Sequence, residues 1–180
     1  ALDRGQPVEI EGLGRFQLGE SGYEFVAESR PQVFIAYVEE DLAHAKRLRD
    51  ALEKAGFFPW LDKDQLLAGQ NWPRAIERAI DLSDAFVACL SFRSLSKPGQ
   101  FQCELRYALD CAKRMPLDEV FLLPARFEAC AVPPVIAAKT QYVDLFPEFD
   151  RGIKQLVRAL RKRKPRLEGT ISLGSRSLAE

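Results

Sequence analysis

Few side chains in this chain combine a reactive type with a setting that suits chemistry. Glu104, in the run FQCELRYAL, falls near the start of a helix expected after the third buried strand. A carboxylate there can stabilise a developing positive charge or orient hydroxyls. A Glu in a first helical turn is also commonly just solvated and favourable to the helix dipole. Asp62 and Asp64 suggest a metal or phosphoryl-transfer site, but a bare pair supplies too few ligands and no metal is expected. The one histidine, His44, lies in the first expected helix and is read as a surface residue. Cys89, Cys103, Cys111 and Cys130 form no CxxC pair, so neither a zinc site nor a redox motif is indicated; they read as reduced thiols of a cytoplasmic protein. GxxxxGK[ST], a GxGxxG after a strand, and GxSxG are all absent, which removes the phosphate loop, the dinucleotide fingerprint and the hydrolase elbow.

The elements that must position Glu104 follow from hydrophobic pattern. Val33–Tyr37, Phe57–Leu61, Ala85–Leu90, Val120–Pro124 and Thr140–Val143 are short apolar runs of strand length. Between them, Leu42, Ala45, Leu48, Ala51, Leu52 and Ala55 make a helical stripe that Asp41 can cap and Gly56 can end. Asn71 with Pro73 opens a second helix whose inner face is Ile76, Ala79 and Ile80. Ser91–Gly99 reads as a loop, residues 100–113 as a third helix and residues 152–163 as a last amphipathic one. Continuous apolar strands alternating with amphipathic helices imply α/β architecture with a parallel sheet covered on both faces. The simplest topology is a flavodoxin-like, doubly wound, five-stranded sheet, in which ligands sit beyond the carboxyl ends of the strands at the switch point.

Three regions are expected: a Gly-interrupted β-hairpin or small meander over residues 1–28, the α/β domain over 29–164, and a flexible tail over 165–180. Lys plus Arg and Asp plus Glu each total 26, and this zero net charge argues against a surface built for nucleic acid or anionic membrane. No run reaches the length of a membrane helix. The basic run from Arg151 to Arg166 is read by default as a solvated helix face, the alternative being a patch for nucleic acid or an acidic partner.

Several segments, in order, resemble a TIR domain of the bacterial type: VFIAYVEED (33–41), GFFPWLDKDQLLAGQNWPRAIERAIDLSDAFVACLS (56–91), SLSKPGQFQCELRYALD (94–110), EVFLLPARFEACAVP (119–133) and YVDLF (142–146). The resemblance implies the flavodoxin-like fold and two alternative functions. Enzymatic TIR domains are NAD⁺ glycohydrolases, often in antiphage defence or cell-death signalling; others are non-enzymatic adaptors that recruit further TIR domains. For the enzyme, the resemblance makes Glu104 the catalytic residue, with NAD⁺ as substrate and no separate cofactor. It implies a substrate-binding set of Ala36, Tyr37, Asp62, Ser91, Gln100 and Phe101, with Tyr37 and Phe101 as walls for the nicotinamide and Ser91 as a hydrogen-bonding group. Gln100 stands where relatives often carry an aromatic residue four positions before the Glu, and Phe101 at i−3 can take over that face. Val38 replaces a frequent small hydroxyl residue, while Trp60 and Trp72 are read as packing residues. The implied partners are other TIR domains, in a homo-oligomer or filament that completes the site; neither membrane nor nucleic acid is an expected partner. At the N-terminus RGQPVEIEGLGRF is similar to the short hairpin of HU-type DNA-binding proteins, but covers too little chain to imply that fold.

Overall fold

The computed structural model describes residues 8–10, 14–19, 22–27, 30–61, 71–116, 119–162 and 170–172. The chain divides into two compact units: Ala1–Arg30 with Pro165–Glu180, and Pro31–Lys164.

The first unit contains β1 (Val8–Ile10), β2 (Gly14–Gly19), β3 (Gly22–Ala27) and, from the far end of the chain, a strand at Thr170–Ser172. They form one antiparallel sheet in which the Thr170–Ser172 strand pairs with the edge of β3. The N-terminal hairpin is therefore part of a four-stranded sheet, and the tail expected to be flexible contributes one of its strands. Three residues show no measurable periodicity, so the β-branched pair Thr170 and Ile171 carries little signal until the free edge of β3 supplies a partner.

The second unit is an all-parallel sheet of β4 (Gln32–Ala36), β5 (Phe58–Leu61), β6 (Ala85–Leu90), β7 (Leu122–Arg126) and β8 (Val143–Asp144). The order β5-β4-β6-β7-β8 is that of a flavodoxin-like sheet, with its switch point between β4 and β6. Both central strands are apolar without alternation because each face is covered: every residue of β6 is buried. On one face lie α1 (Leu42–Lys54) and α6 (Phe149–Arg161), which bury Leu48, Leu52, Leu156 and Leu160 against Val33, Ile35 and Val87. On the other lie α2 (Trp72–Leu82) and α4 (Gln100–Lys113), with Ile76, Ile80, Phe101 and Leu105 against Phe34, Phe86 and Ala88.

Local signals account for most boundaries. Gly56, at φ +90°, takes the left-handed turn that ends α1 and starts the approach to β5. The Asn71 side chain accepts from the Arg74 N–H at 3.3 Å, capping α2 with Pro73 in its first turn. Two short helices were not expected, α3 (Phe92–Ser96) inside the predicted loop and α5 (Pro134–Ala137). The last two strands also lie further along than the apolar runs suggest. Pro124 does not end β7, because the ladder continues on the neighbouring groups: the Phe127 N–H donates to the Leu90 carbonyl at 2.9 Å, and Leu145 to Arg126 at 2.8 Å. Arg126 closes this edge with a forked pair to Asp144 at 2.6 and 2.9 Å. Among the described residues no helix is long and apolar enough to cross a membrane.

Candidate functional site

In a parallel sheet the loops that leave the carboxyl ends of the strands share one edge, and helices run back from it. Here that edge gathers the Glu39–Asp41 turn after β4, the start of α3 and α4 after β6, and the segment after β7. Glu104 lies in the second turn of α4, and it is buried, with 3 % of its surface exposed. The sequence reading of a solvated first-turn carboxylate does not hold. The inward stripe of α4 is Phe101, Glu104, Leu105, Ala108 and Cys111, and Glu104 occupies a position where the 3.6-residue period calls for an apolar side chain. The apolar members of that stripe are visible in the sequence, but they do not say on which side of its edge Glu104 falls. Glutamates are almost never buried to this degree without a specific reason.

Phe101, one turn before Glu104, is buried in the same cluster as Ala36, Trp60 and Leu105. Trp60 is a packing residue as expected, stacked on Phe34 at 4.7 Å. Trp72 departs from that reading: it is 49 % exposed, as is Phe92 to 59 %, on the first residues of α2 and α3. Gln100 is exposed on the first residue of α4. Tyr37 is buried, but in the cluster of the opposite face, with Ala45, Leu48 and Phe127. Strand alternation is the cause: Ala36 faces the α2/α4 layer, so Tyr37 turns to the α1/α6 layer. The structure thus brings Ala36, Phe101 and Glu104 to one face, and not Tyr37. Asp62 lies outside the described residues.

Ser91, expected to bind a ligand, is engaged within the protein. Its hydroxyl donates to Asp41 Oδ2 at 2.5 Å and accepts from the Ser94 N–H at 3.1 Å. The Ser94 hydroxyl in turn accepts from the Ser91 N–H at 2.8 Å, completing a capping box at α3. A hydroxyl has one proton, so Ser91 can offer a ligand an acceptor but no donor without breaking the Asp41 bond. Glu128 accepts from the Phe92 N–H at 2.8 Å and ties the segment after β7 to the same helix end.

Asp41 was read from the sequence only as a cap for α1. It sits at the cap position, yet its side chain makes no capping bond. Instead it is 4 % exposed and crosses to Ser91. Around it, Arg93 approaches Asp41 at 3.9 Å, and Lys97 pairs with Glu40. That Lys97 hydrogen bond holds the Glu40 carboxyl below its ordinary value. Burial, and then the charge of Asp41, push the Cys89 thiol well above its ordinary value, so this cysteine at the end of β6 is no nucleophile.

The TIR domain family profile matches residues 33–157, which takes in all but the first residue of the five-stranded sheet and most of α6. The chain belongs to the TIR domain family. Curated protein sequences contain no match to it. Solved structures agree on the fold. The TIR domain of the Toll-related receptor TRR-2 from Hydra magnipapillata is 21 % identical with a TM-score of 0.56, covering 70 % of this chain and 97 % of that one. A metazoan TIR-STING receptor from C. gigas, solved with 2′,3′-cGAMP, is 24 % identical with a TM-score of 0.60; the match covers 74 % of this chain but 39 % of the receptor. A prokaryotic SEFIR domain is 15 % identical with a TM-score of 0.55, covering 79 % of this chain and 99 % of that domain.

Proposed function

We propose that this TIR domain is an NAD⁺ glycohydrolase, cleaving the bond between nicotinamide and ribose with Glu104 as its working carboxylate. The observation that carries the reading is the burial of Glu104 in the inward stripe of α4 beside Phe101. A carboxylate held among apolar groups acts on a developing positive charge more strongly than one in water. Nicotinamide leaves NAD⁺ with the electron pair of the C1′–N bond and becomes neutral, so no strong acid is needed to expel it. The ribose that remains is oxocarbenium-like, and Glu104 stabilises that charge or orients the ribose hydroxyls. Water adds at C1′ and releases a proton, giving ADP-ribose; attack by a ring nitrogen of the adenine gives a cyclic product instead. Ala36 and Phe101 supply apolar wall on this face.

Family resemblance further supports activation by self-assembly, in which a neighbouring TIR domain completes the site, in a defence or cell-death setting. Turnover per molecule then rises with protein concentration. The test is NAD⁺ consumption by concentrated wild type beside Glu104→Ala, with products separated by chromatography. Nicotinamide release by wild type alone supports the enzyme; equal rates in both remove Glu104 from the mechanism.

A second reading, a non-enzymatic TIR interaction module, draws on the exposed aromatic rings of Trp72 and Phe92. Under it neither protein consumes NAD⁺ even when crowded, and Glu104→Ala still binds its partner.

A further inference from the structure

Between the turn after β4 and the first turn of α4 runs a path of hydrogen bonds that passes through the main chain of Ser94. Asp41 Oδ2 accepts from the Ser91 hydroxyl at 2.5 Å, joining residues fifty positions apart. Ser91 Oγ accepts from the Ser94 N–H at 3.1 Å. The carbonyl of the same Ser94 accepts from Gln102 Nε2 at 2.7 Å, and Gln102 stands on α4 two residues before Glu104. Asp41, Ser91 and Ser94 are all buried and Gln102 is half-buried.

Packing of Phe101 aside, the start of α4 lacks a side-chain cap. Its cap residue is Gly99, at φ +154°, which offers no side-chain bond, and no acidic residue stands in the first turn. The first-turn backbone bonds to the Gly99 carbonyl are 3.1 Å from Gln102 and 3.4 Å from Cys103. Asp41, meanwhile, gives up the bond that would stabilise its own helix. A buried carboxylate directed away from its local cap and onto the neighbouring loop is a costly arrangement unless the crossing itself matters.

We propose that Asp41 and Gln102 are positioning residues, the two ends of a strut through Ser91 and Ser94 that holds the first turns of α4 in register with the end of β4. Since Glu104 and Phe101 ride on those turns, the strut sets where the carboxylate stands relative to Ala36. The catalytic consequence rests on the glycohydrolase reading above; the mechanical one does not. A misplacement of a catalytic group lowers turnover more than it lowers substrate affinity.

Hydrogen exchange resolved over residues 100–106, with NAD⁺ kinetics alongside, tests this on Asp41→Ala, Asp41→Asn and Gln102→Met. Asn keeps an oxygen that accepts the Ser91 hydroxyl, whereas Ala and Met break the path at either end. The expected result is exchange about tenfold faster over 100–106 in Asp41→Ala and Gln102→Met, as for a lost buried hydrogen bond, with α6 unaffected and Asp41→Asn close to wild type. kcat falls in the two broken variants with KM little changed, and Asn restores it. Wild-type exchange over 100–106 in Gln102→Met overturns the strut, and this variant serves even if Asp41→Ala does not fold. An Asp41→Asn as impaired as Asp41→Ala also overturns it, because charge rather than the bond would then matter. If wild type consumes no NAD⁺, the glycohydrolase reading falls while the exchange data still decide the strut.

Discussion

Helices α4 and α6 cover opposite faces of the same sheet, and they treat the inward stripe differently. In α6 the stripe is Gly152, Leu156 and Leu160, apolar throughout, while Arg151, Lys154, Arg158, Arg161 and Lys162 stand exposed outside it. In α4 the stripe carries Glu104 between Phe101 and Leu105. Helix α6 follows the amphipathic rule at every turn; α4 breaks it at one position, and that position lies near the carboxyl edge of the sheet. A departure of this kind, near the edge where sheets of this topology bind ligands, is where a functional test belongs.

The largest effect that can break this comparison is catalytic. Glu104→Ala is expected to lower NAD⁺ turnover by about a hundredfold or more, the scale of losing a charge-stabilising group, measured as nicotinamide release. Next comes the packing of the regular helix. Leu156→Ala leaves a cavity under α6 and is expected to cost about 3 kcal/mol in denaturant unfolding. Gly152→Ala meets a backbone limit, since a Cβ there would lie 2.2 Å from the Asp144 carbonyl oxygen, and is expected to cost about 2 kcal/mol. Glu104→Met keeps the stripe filled with a side chain of similar length, and is expected to lose turnover while stability stays within about 1.5 kcal/mol of wild type. A Glu104→Met that is both inactive and less stable than wild type by more than this would make Glu104 a structural residue. The smallest effect is on the outer face of α6, where Arg158→Gln should change stability by less than about 0.5 kcal/mol.

Cysteines sharpen the contrast within α4 itself. Cys103 is exposed, and Cys111, eight residues on, is buried with its thiol raised chiefly by that burial. Cys89 and Cys130 are also buried. Native protein should therefore show one fast-reacting thiol, removed by Cys103→Ser.

How much of this was legible in advance differs by element. The pattern of Ala85–Leu90 and of Ile76, Ala79 and Ile80 fixes a strand and a helix face directly, since burial there follows the period of the local backbone. The loop at 91–99 hid α3, because its capping box uses two serines, Ser91 and Ser94, in place of the usual acidic partner. Thr170–Ser172 was hidden because a strand that short is defined by the edge it joins. Among the site residues, Phe101 and Ala36 share the face of Glu104, whereas Tyr37, adjacent to Ala36 in sequence, is turned to the other layer by the pleat.

By itself the sequence determined the α/β architecture, the order of alternating strands and helices, and the family. These rest on periodicity and motif order, which are properties of neighbours along the chain. Only the tertiary structure decided that Glu104 is buried rather than solvated, that Asp41 reaches Ser91 instead of capping its own helix, and that Gln102 ties α4 to Ser94. Each of those depends on groups from separate segments meeting at one edge of the sheet, and strand order, not sequence spacing, sets which loops meet there.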